Sequence, residues 1–262
     1  MPSPAAWRWL APLTADGATQ MAIDQWMLDQ LVAERSGPML RLYRWSRPTL
    51  SLGRHQQQLE PHWLELAEAG QIQLVRRPTG GRAVLHAGEL TYALVHRLAS
   101  SNRDAAYRQA CHWLQCSFAA AGEPLQFGAG SARDAHQRSN CFASSTRADL
   151  VDGRGCKRIG SAQLWRGGCL LQHGSLLLDP PAALWRAVFG AEPPPLRPLA
   201  WDGPELERQL QAAAADHLCG GPLLEQPLNA AEQRALESLR AAQLSGLPSM
   251  LRATAARAMP NG

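Results

Sequence analysis

The middle of the chain decides its fold, and its key stretch reads KRIGSAQLWRGGCLLQHGSLL over residues 157–177. Two β-like runs, residues 158–165 and 168–178, lie on either side of a glycine turn, and a third run covers residues 148–151. Glycines between such runs are typical of tight turns that join strands. We therefore predict three consecutive strands in this part of the chain.

The flanking sequence predicts further strands before this region and helices at both ends. The strand segments are 39–45, 49–52, 71–75, 83–85 and 90–95, and we expect the last two to pair around the turn His86-Ala87-Gly88. The helical segments are 19–32, with Thr19 as its cap, 105–121, 180–189, 204–218 and 229–244. Clustered strands with helices before and after them favour the α+β class.

Length and composition exclude several classes of protein. The 262 residues are 45% hydrophobic, which is enough for a sizeable core, yet no run of eighteen apolar residues occurs, so we expect no membrane-spanning segment. The N-terminal residues lack the basic and apolar parts of a secretory signal. The net charge of +4 comes from scattered arginines, which argues against a nucleic-acid partner and suits an acidic protein partner.

The six cysteines have no CxxC spacing and no histidine pair at zinc-finger spacing, so we expect neither a metal site nor a disulfide framework. Reduced thiols in a cytoplasmic enzyme fit better. Cys141, in the polar loop 128–145, has the access that a nucleophile needs. Cys156 is the rival because it adjoins Lys157, although along a strand its side chain would point away from the face of the lysine.

The lysine itself is unusual. Of the 26 basic residues, 25 are arginine and only Lys157 is lysine. A lysine retained in such a chain indicates a position where a guanidinium cannot replace a primary amine, because the two groups differ in size, donor geometry and the ease with which the pKa shifts. The alternative is chance retention.

Three further stretches predict binding residues. The loop RRPTGGRAVLH (76–86) combines adjacent glycines with fixed positive charge, which suits a phosphate, a pantetheine arm or a carboxylate, unless it is only a glycine-rich turn. In KRIGSAQ (157–163) small residues leave a shallow floor for a ligand chain, or permit a tight strand crossing. His173 either orients a substrate or is a structural histidine.

Several stretches together resemble the biotin/lipoate protein ligase superfamily, and within it most of all the LipM-type octanoyltransferases. They are MAID (21–24), LRLYRW (40–45), LSLG (50–53), RRPTGGRAVLH (76–86), ELTY (89–92), KRIGSAQ (157–163) and LQHGS (171–175). The resemblance implies a central mixed β-sheet flanked by helices. We assign residues 1–200 to the catalytic domain and residues 201–262 to a C-terminal helical appendage.

The resemblance also implies a chemistry. Octanoyl passes from acyl carrier protein to a cysteine and then to a lysine of a lipoyl domain, such as the glycine cleavage H protein or the E2 component of 2-oxoacid dehydrogenases, with no cofactor and no metal. Cys141 and Lys157 are then catalytic. The predicted substrate-binding residues are Arg77, Thr79, Gly80, Gly81, Arg82, His86, Gly160, Ser161, Ala162, Gln163, His173 and Gly174.

Three alternatives stay open. An ATP-dependent lipoate–protein ligase would use ATP and Mg²⁺, but ligases usually carry a third glycine where this chain has Arg82, and they need no loop thiol. An amidotransferase that moves octanoyl between two lipoyl-domain proteins also uses a cysteine. A non-catalytic binding module of the same fold would have no reason to retain Lys157. The chain departs from the family pattern near Cys141. The family commonly has a proline shortly after this cysteine, whereas Ala143-Ser144-Ser145 follows here.

Overall fold

The apolar runs of the sequence form two β-sheets. The computed structural model describes residues 6–98, 101–130, 148–201 and 203–245. Its strands are β1 (Arg8–Ala15), β2 (Met39–Trp45), β3 (Thr49–Leu52), β4 (Gln73–Arg76), β5 (Val84–His86), β6 (Glu89–Arg97), β7 (Gln126–Phe127), β8 (Asp149–Val151), β9 (Lys157–Arg166), β10 (Cys169–Leu177) and β11 (Leu224–Glu225).

In the described part of the chain, the larger sheet has the strand order β11-β1-β2-β6-β10-β9-β8-β7, and the smaller has the order β4-β3-β5. Strand β1 is parallel to β11 and to β2, while the remaining pairs of the larger sheet are antiparallel. The three strands predicted from residues 148–178 are therefore consecutive neighbours. The central mixed sheet that the sequence predicts is confirmed.

Helices cover both faces of the larger sheet. They are α1 (Gly17–Val32), α2 (Pro61–Glu68), α3 (Arg103–Ala120), α4 (Ala182–Phe189), α5 (Gly203–Ala214), which continues into a π-helical turn (Ala215–Cys219), and α6 (Ala230–Ser245). No helix among these described segments is long and apolar enough to cross a membrane. The α+β class is thereby confirmed.

Strand alternation divides the core between the two faces. On strand β2, Leu40 and Leu42 pack into the cluster under α3 and α5, whereas Met39 and Tyr43 pack into the cluster under α1. A third cluster, built around Trp63 and other buried side chains, lies between the smaller sheet and helices α2 and α4. Because successive side chains of a strand point to opposite faces, each central strand contributes to both cores.

Two local predictions are wrong. The cap of α1 is Asp16 and not Thr19, since the Asp16 carboxylate accepts the Thr19 N–H at 2.8 Å. The segments 83–85 and 90–95 do not pair with each other. Strand β5 pairs with β3 in the smaller sheet, while β6 pairs with β2 and β10, and the turn at Gly88 carries the chain from one sheet to the other.

Some elements were not predicted at all. Strand β1 contains Pro12, and a proline argues against a strand because it cannot donate a hydrogen bond to a neighbouring strand. The register shift between Leu10 and Leu13 accommodates it. Helix α2 has only Trp63 and Ala67 as buried residues, so its apolar pattern is too short to recognise. Strands β7 and β11 are two residues each.

The C-terminal segment packs on both faces of the larger sheet. Leu206 and Leu210 of α5 lie in the core cluster with α3, and Leu236 of α6 lies in the cluster with α1. Arg240 of α6 donates to the Asp16 carboxylate at 2.7 Å. The described part of the appendage therefore shares the core of the preceding residues, and the boundary at residue 200 stays a prediction.

The turn at Gly88 gives the first testable prediction. Its φ of +68° disfavours any side chain, and an added Cβ would lie 1.9 Å from the carbonyl oxygen of Asp179. Gly70 has a similar φ of +70° but open space around it. We expect Gly70→Ala to lower the free energy of unfolding by about 1–2 kcal/mol through backbone strain alone. Gly88→Ala should cost about 1–3 kcal/mol more, because backbone must move.

Urea denaturation of the two variants beside the unmodified protein measures the difference. Equal losses in Gly88→Ala and Gly70→Ala would show that the Asp179 carbonyl can move away without cost.

Candidate active site

The register of the larger sheet brings the predicted site residues together. Side chains that face each other across paired strands lie on the same face of a sheet. On the α1 face, one row runs across four strands through Asp149, Gly160, Ser175 and Thr91, and the next row runs through Ala162, His173, Ala93 and Arg41. The candidate site lies on these two rows, between helix α1 and the glycine loop 78–82.

A buried carboxylate from α1 organises this face. Asp24 is fully buried, and its Oδ1 accepts two hydrogen bonds from Arg41, at 2.6 Å from Nη2 and 3.1 Å from Nε. Its Oδ2 accepts from the Tyr43 hydroxyl at 3.1 Å and from His173 Nδ1 at 2.7 Å. Burial alone would raise the pKa of the Asp24 carboxyl, but the Arg41 charge and the His173 hydrogen bond hold it below its usual range. Asp24 is therefore ionised in the folded protein.

His173 connects Asp24 to the glycine loop through hydrogen bonds of its two ring nitrogens. A carboxylate only accepts, so His173 Nδ1 carries the proton, and the unprotonated Nε2 accepts from the Thr79 hydroxyl at 2.6 Å. Burial lowers the pKa of His173 below its usual value, against the raising effect of Asp24. A neutral imidazole with a single tautomer thus fixes the direction of the Thr79 hydroxyl.

Arg77 shapes the loop from the inside. Its guanidinium donates to the carbonyl oxygens of Ser51 at 2.9 Å, of Gly80 at 2.8 Å and of Arg82 at 2.7 Å. Gly81 has a φ of +99°, and an added Cβ would meet the Arg77 guanidinium at 2.7 Å. An added Cβ at Gly80 would meet nothing within 4 Å, so the loop is open on that side. Arg77 therefore binds the loop backbone, and the half-exposed Arg82 is better placed to meet a ligand.

Lys157 begins strand β9 and forms a buried ion pair. Its Nζ lies 2.9 Å from Asp149 Oδ1, with only 3% and 4% of the two side chains exposed. A one-residue register shift between β8 and β9 separates this pair from the regular ladder. Asp149 stands directly opposite Gly160, so the ion pair lies beside the small residues Gly160 and Ala162 of the site face.

His86 lies in a second cluster. Its Nε2 bonds the Ser51 hydroxyl at 2.7 Å, its Nδ1 bonds Glu89 at 2.5 Å, and its ring stacks on Trp45 at 3.9 Å between centroids. A cavity of about 530 Å³ opens here. Of the predicted binding residues in the described chain, only His86 lines it. Its walls also include Arg44, Trp45, Arg47, Glu89 and Asp179.

Three predicted binding residues lie on the opposite face. Ser161 bonds the Tyr92 hydroxyl at 2.8 Å, and Gln163 donates to Gln172 at 2.6 Å, both on the α3 side of the sheet. A Cβ at Gly174 would lie 2.4 Å from the Tyr92 ring. The shallow floor predicted from consecutive small residues is thus divided between the two faces. Gly160 and Ala162 alone belong to the Lys157 side.

The predicted nucleophile Cys141 lies outside the described residues. Its rival Cys156 lies in the turn before β9, and burial, followed by the nearby Asp152 charge, raises the pKa of its thiol. Burial also raises the pKa of Cys111 to about 11. Because the thiolate is the reactive form, neither position favours a nucleophile at neutral pH.

Sequence reasoning missed the charged partners of the site. Asp24, Arg41 and Asp149 all become buried on the site face. Arg41 lies between Leu40 and Leu42 on β2, and Asp24 follows the apolar run Met21-Ala22-Ile23 on α1. A charged residue next to such apolar neighbours is the signal that could have identified both. Buried charges are almost always paired, so two such residues in buried elements predict each other.

Solved structures of lipoate protein ligases share this architecture. A putative lipoate protein ligase from T. acidophilum with bound lipoic acid superimposes with a TM-score of 0.74 at 20% identity, covering 90% of this chain and 95% of that one. A lipoate-protein ligase A bound with ATP gives a TM-score of 0.77 at 19% identity, covering 94% and 99%. Both structures have the same fold as this chain, which confirms the fold predicted from the resemblance.

The sequence comparisons define the family. The profile of the lipoyl protein ligase A/B catalytic domain matches residues 16–192, and the chain belongs to this family. Proteins named octanoyltransferase LipM, from Moorella thermoacetica and Carboxydothermus hydrogenoformans, are each 38% identical over 178 residues, covering 66% of this chain. The match spans 65% of each relative's own length. The resemblance seen in the sequence is thereby confirmed.

The neutral, buried His173 predicts a pH dependence of stability. In the unfolded chain a histidine has a pKa of about 6.5. As pH falls below that value, the unfolded state takes up a proton that the folded state excludes, so the free energy of unfolding falls. His96 has a pKa lowered by burial as well and acts in the same direction. We expect a smaller loss of stability on acidification in His173→Gln and in His96→Gln, and the smallest in the double variant.

The measurement is urea denaturation at a series of pH values, which separates this slope from any constant loss of stability. An unchanged slope in His173→Gln would mean that the folded protein takes up a proton at this site.

Proposed function

We propose that this chain is an octanoyltransferase that moves octanoyl from acyl carrier protein to a lysine of lipoyl-domain proteins. The observation that carries the proposal is the buried Lys157–Asp149 ion pair on the glycine-loop face of a lipoyl protein ligase A/B catalytic domain. Relatives named octanoyltransferase share 38% of the aligned residues, which supports octanoyl as the group transferred.

The proposed reaction consists of two acyl transfers. The Cys141 thiolate attacks the thioester carbonyl of octanoyl–acyl carrier protein, the carbon–sulfur bond to the carrier breaks, and the carrier leaves as a thiol after protonation. The acceptor lysine, as its free amine, then attacks the Cys141 thioester. An amide forms, the amine loses its proton, and the Cys141 thiol is regenerated. Because an amide is more stable than a thioester, the two acyl transfers proceed without the hydrolysis of a nucleotide.

In this scheme Lys157 supplies the positive charge. Its ammonium stabilises the Cys141 thiolate and the oxyanion of each tetrahedral intermediate. As the second intermediate collapses, Lys157 gives a proton to the leaving Cys141 sulfur and regains one from the amine nitrogen. Asp149, at 2.9 Å, positions the ammonium and compensates for its burial. A fixed charge that requires no reorganisation during the reaction is the arrangement that stabilises a transition state most.

The remaining groups have binding roles. The open side of Gly80 and the half-exposed Arg82 suit the phosphate of a pantetheine arm. Thr79, held by His173, and the small residues Gly160 and Ala162 leave room for an acyl chain on the sheet face. The glycine cleavage H protein and the E2 component of 2-oxoacid dehydrogenases are the proposed acceptors. The reduced thiol that the scheme requires suits the cytoplasm.

We expect octanoyl transfer from octanoyl–acyl carrier protein to a lipoyl domain in the absence of ATP and Mg²⁺. Intact-mass spectrometry of the enzyme with donor alone should show a gain of one octanoyl group, and gel-shift or mass analysis of the lipoyl domain should show the product. Product formed only from free octanoate or lipoate with Mg-ATP would replace the proposal with a ligase. Product formed only from an octanoylated lipoyl domain would replace it with an amidotransferase.

The cysteine variants serve as controls for this assay. Cys141→Ser should abolish the thioester, because a serine hydroxyl is not ionised at neutral pH, while Cys156→Ser should retain it. A mass gain that persists in Cys141→Ser and is lost in Cys156→Ser would transfer the nucleophilic role to Cys156.

Lys157→Arg tests whether the amine acts by charge alone. Arginine keeps the charge but cannot give up its proton in a protein, since its pKa stays above about 12. If Lys157 exchanges a proton, the transfer rate should fall by about 10²–10⁴-fold. Lys157→Ala should be at least as slow, and an added small amine should restore part of its activity.

A matched control is Arg154→Lys, which keeps the charge of an exposed arginine, paired with Asp152, three residues away and should transfer at nearly the original rate. Circular dichroism establishes that each variant is folded. Near-original turnover of Lys157→Arg would contradict the assigned proton exchange.

A further inference from the structure

Helix α3 and the C-terminal segment bring three metal-ligating side chains together. His112 and Cys116 lie four residues apart on α3, and His217 lies in the π-helical turn after α5. One donor atom from each, an imidazole nitrogen or the Cys116 sulfur, lies within 4.8 Å of the other two. This cluster cannot be recognised in the sequence, because 101 residue positions separate His217 from Cys116.

The fold explains why these side chains meet. The intervening positions of α3, among them Trp113 and Leu114, face the core, so His112 and Cys116 lie on the outer side of the helix one turn apart. In the π-helical turn, Leu218 and Cys219 pack against the same core, which leaves His217 over the outer side of α3. Single π-helical turns occur frequently at functional sites.

The distances suit a tetrahedral ion. Zinc binds imidazole nitrogen at about 2.0–2.1 Å and thiolate sulfur at about 2.3 Å, which at a tetrahedral angle separates the two donors by about 3.6 Å. His112 Nε2 and Cys116 Sγ are 3.6 Å apart. The rings of His112 and His217 have centroids 5.9 Å apart and an interplanar angle of 74°, so the two nitrogens can approach one ion from different directions.

We propose that His112, Cys116 and His217 bind a zinc ion, with water as the fourth ligand. Two imidazoles and one thiolate are a ligand set that zinc accepts, and binding releases the Cys116 thiol proton to solvent. The ion links the end of α5 to α3. It lies on the side of the sheet opposite to Asp24 and Lys157, so its role is to hold the C-terminal segment in place and not to act in acyl transfer.

Cobalt(II) is the spectroscopic probe for the experiment. The full chain is kept reduced with a phosphine and titrated with Co²⁺, followed by displacement with Zn²⁺. We expect one equivalent to bind with the intense visible bands of tetrahedral cobalt and a near-ultraviolet thiolate-to-cobalt band. Cys116→Ser should lose the thiolate band. His217→Gln should weaken binding at least about tenfold, since even changes to residues that only hydrogen-bond a metal ligand cost about 10–100-fold in affinity.

Matched controls come from the same chain. Cys219→Ser removes a cysteine two residues from His217 that is not part of the cluster, and His55→Gln removes an exposed histidine elsewhere. Both should bind Co²⁺ as the unmodified protein does. Zinc should raise the Tm of the unmodified protein and of both controls by more than that of His217→Gln, and circular dichroism checks that every variant is folded.

The opposite results would overturn the proposal. Binding without a thiolate band, or binding unchanged in Cys116→Ser, would exclude the cysteine as a ligand. Binding unchanged in His217→Gln would show that His112 and Cys116 alone bind the ion and that the ion does not link α3 to α5. Failure of the unmodified protein to bind Co²⁺ or Zn²⁺ would leave Cys116 and His112 as a hydrogen-bonded pair.

Discussion

The buried carboxylate of Asp24 is the group on which the rest of this structure depends. Removing a carboxylate from water costs several kcal/mol, and that cost is offset only when charge and hydrogen bonds surround the group. Arg41, Tyr43 and His173 do so here, from strands β2 and β10 of the larger sheet. One side chain of α1 thereby sets the position of that helix on the sheet and, through His173, the position of Thr79 in the glycine loop.

The candidate site places a buried chain of hydrogen bonds next to a floor of small residues. The chain of contacts from Asp24 to Thr79 is buried and fully directional, whereas the floor beside Lys157 consists of Gly160 and Ala162. A second buried ion pair, between Lys157 and Asp149, borders that floor. A buried ion pair beside a floor of small residues is an arrangement suited to binding an apolar chain and stabilising an oxyanion at its end.

Much of this could be predicted from the sequence, for identifiable reasons. Lys157 was visible because arginine occupies every other basic position, and the glycine loop was visible because its residues are contiguous. Asp149 and Asp24 were not visible as site residues, because their partners are set by strand register and helix placement. For the same reason, the sequence predicted one binding floor from residues that lie on two faces of the sheet. Gly160 and Ala162 face the candidate site, whereas Ser161 and Gln163 face α3, because successive residues of a strand point to opposite faces. The predicted pairing of the strands on either side of Gly88 was wrong for a related reason, because the chain passes from the smaller sheet to the larger one at this turn.

Burial keeps His173 neutral, while the hydrogen bond to Asp24 holds its proton on Nδ1, so that Nε2 accepts from the Thr79 hydroxyl. Nitrogen-15 NMR of histidine-labelled protein near neutral pH measures this directly, with the His173 signals assigned by their loss in His173→Gln. The account predicts a protonated Nδ1 and an unprotonated Nε2, and a change in that pattern in Asp24→Asn. A doubly protonated ring, or a proton on Nε2, would contradict it.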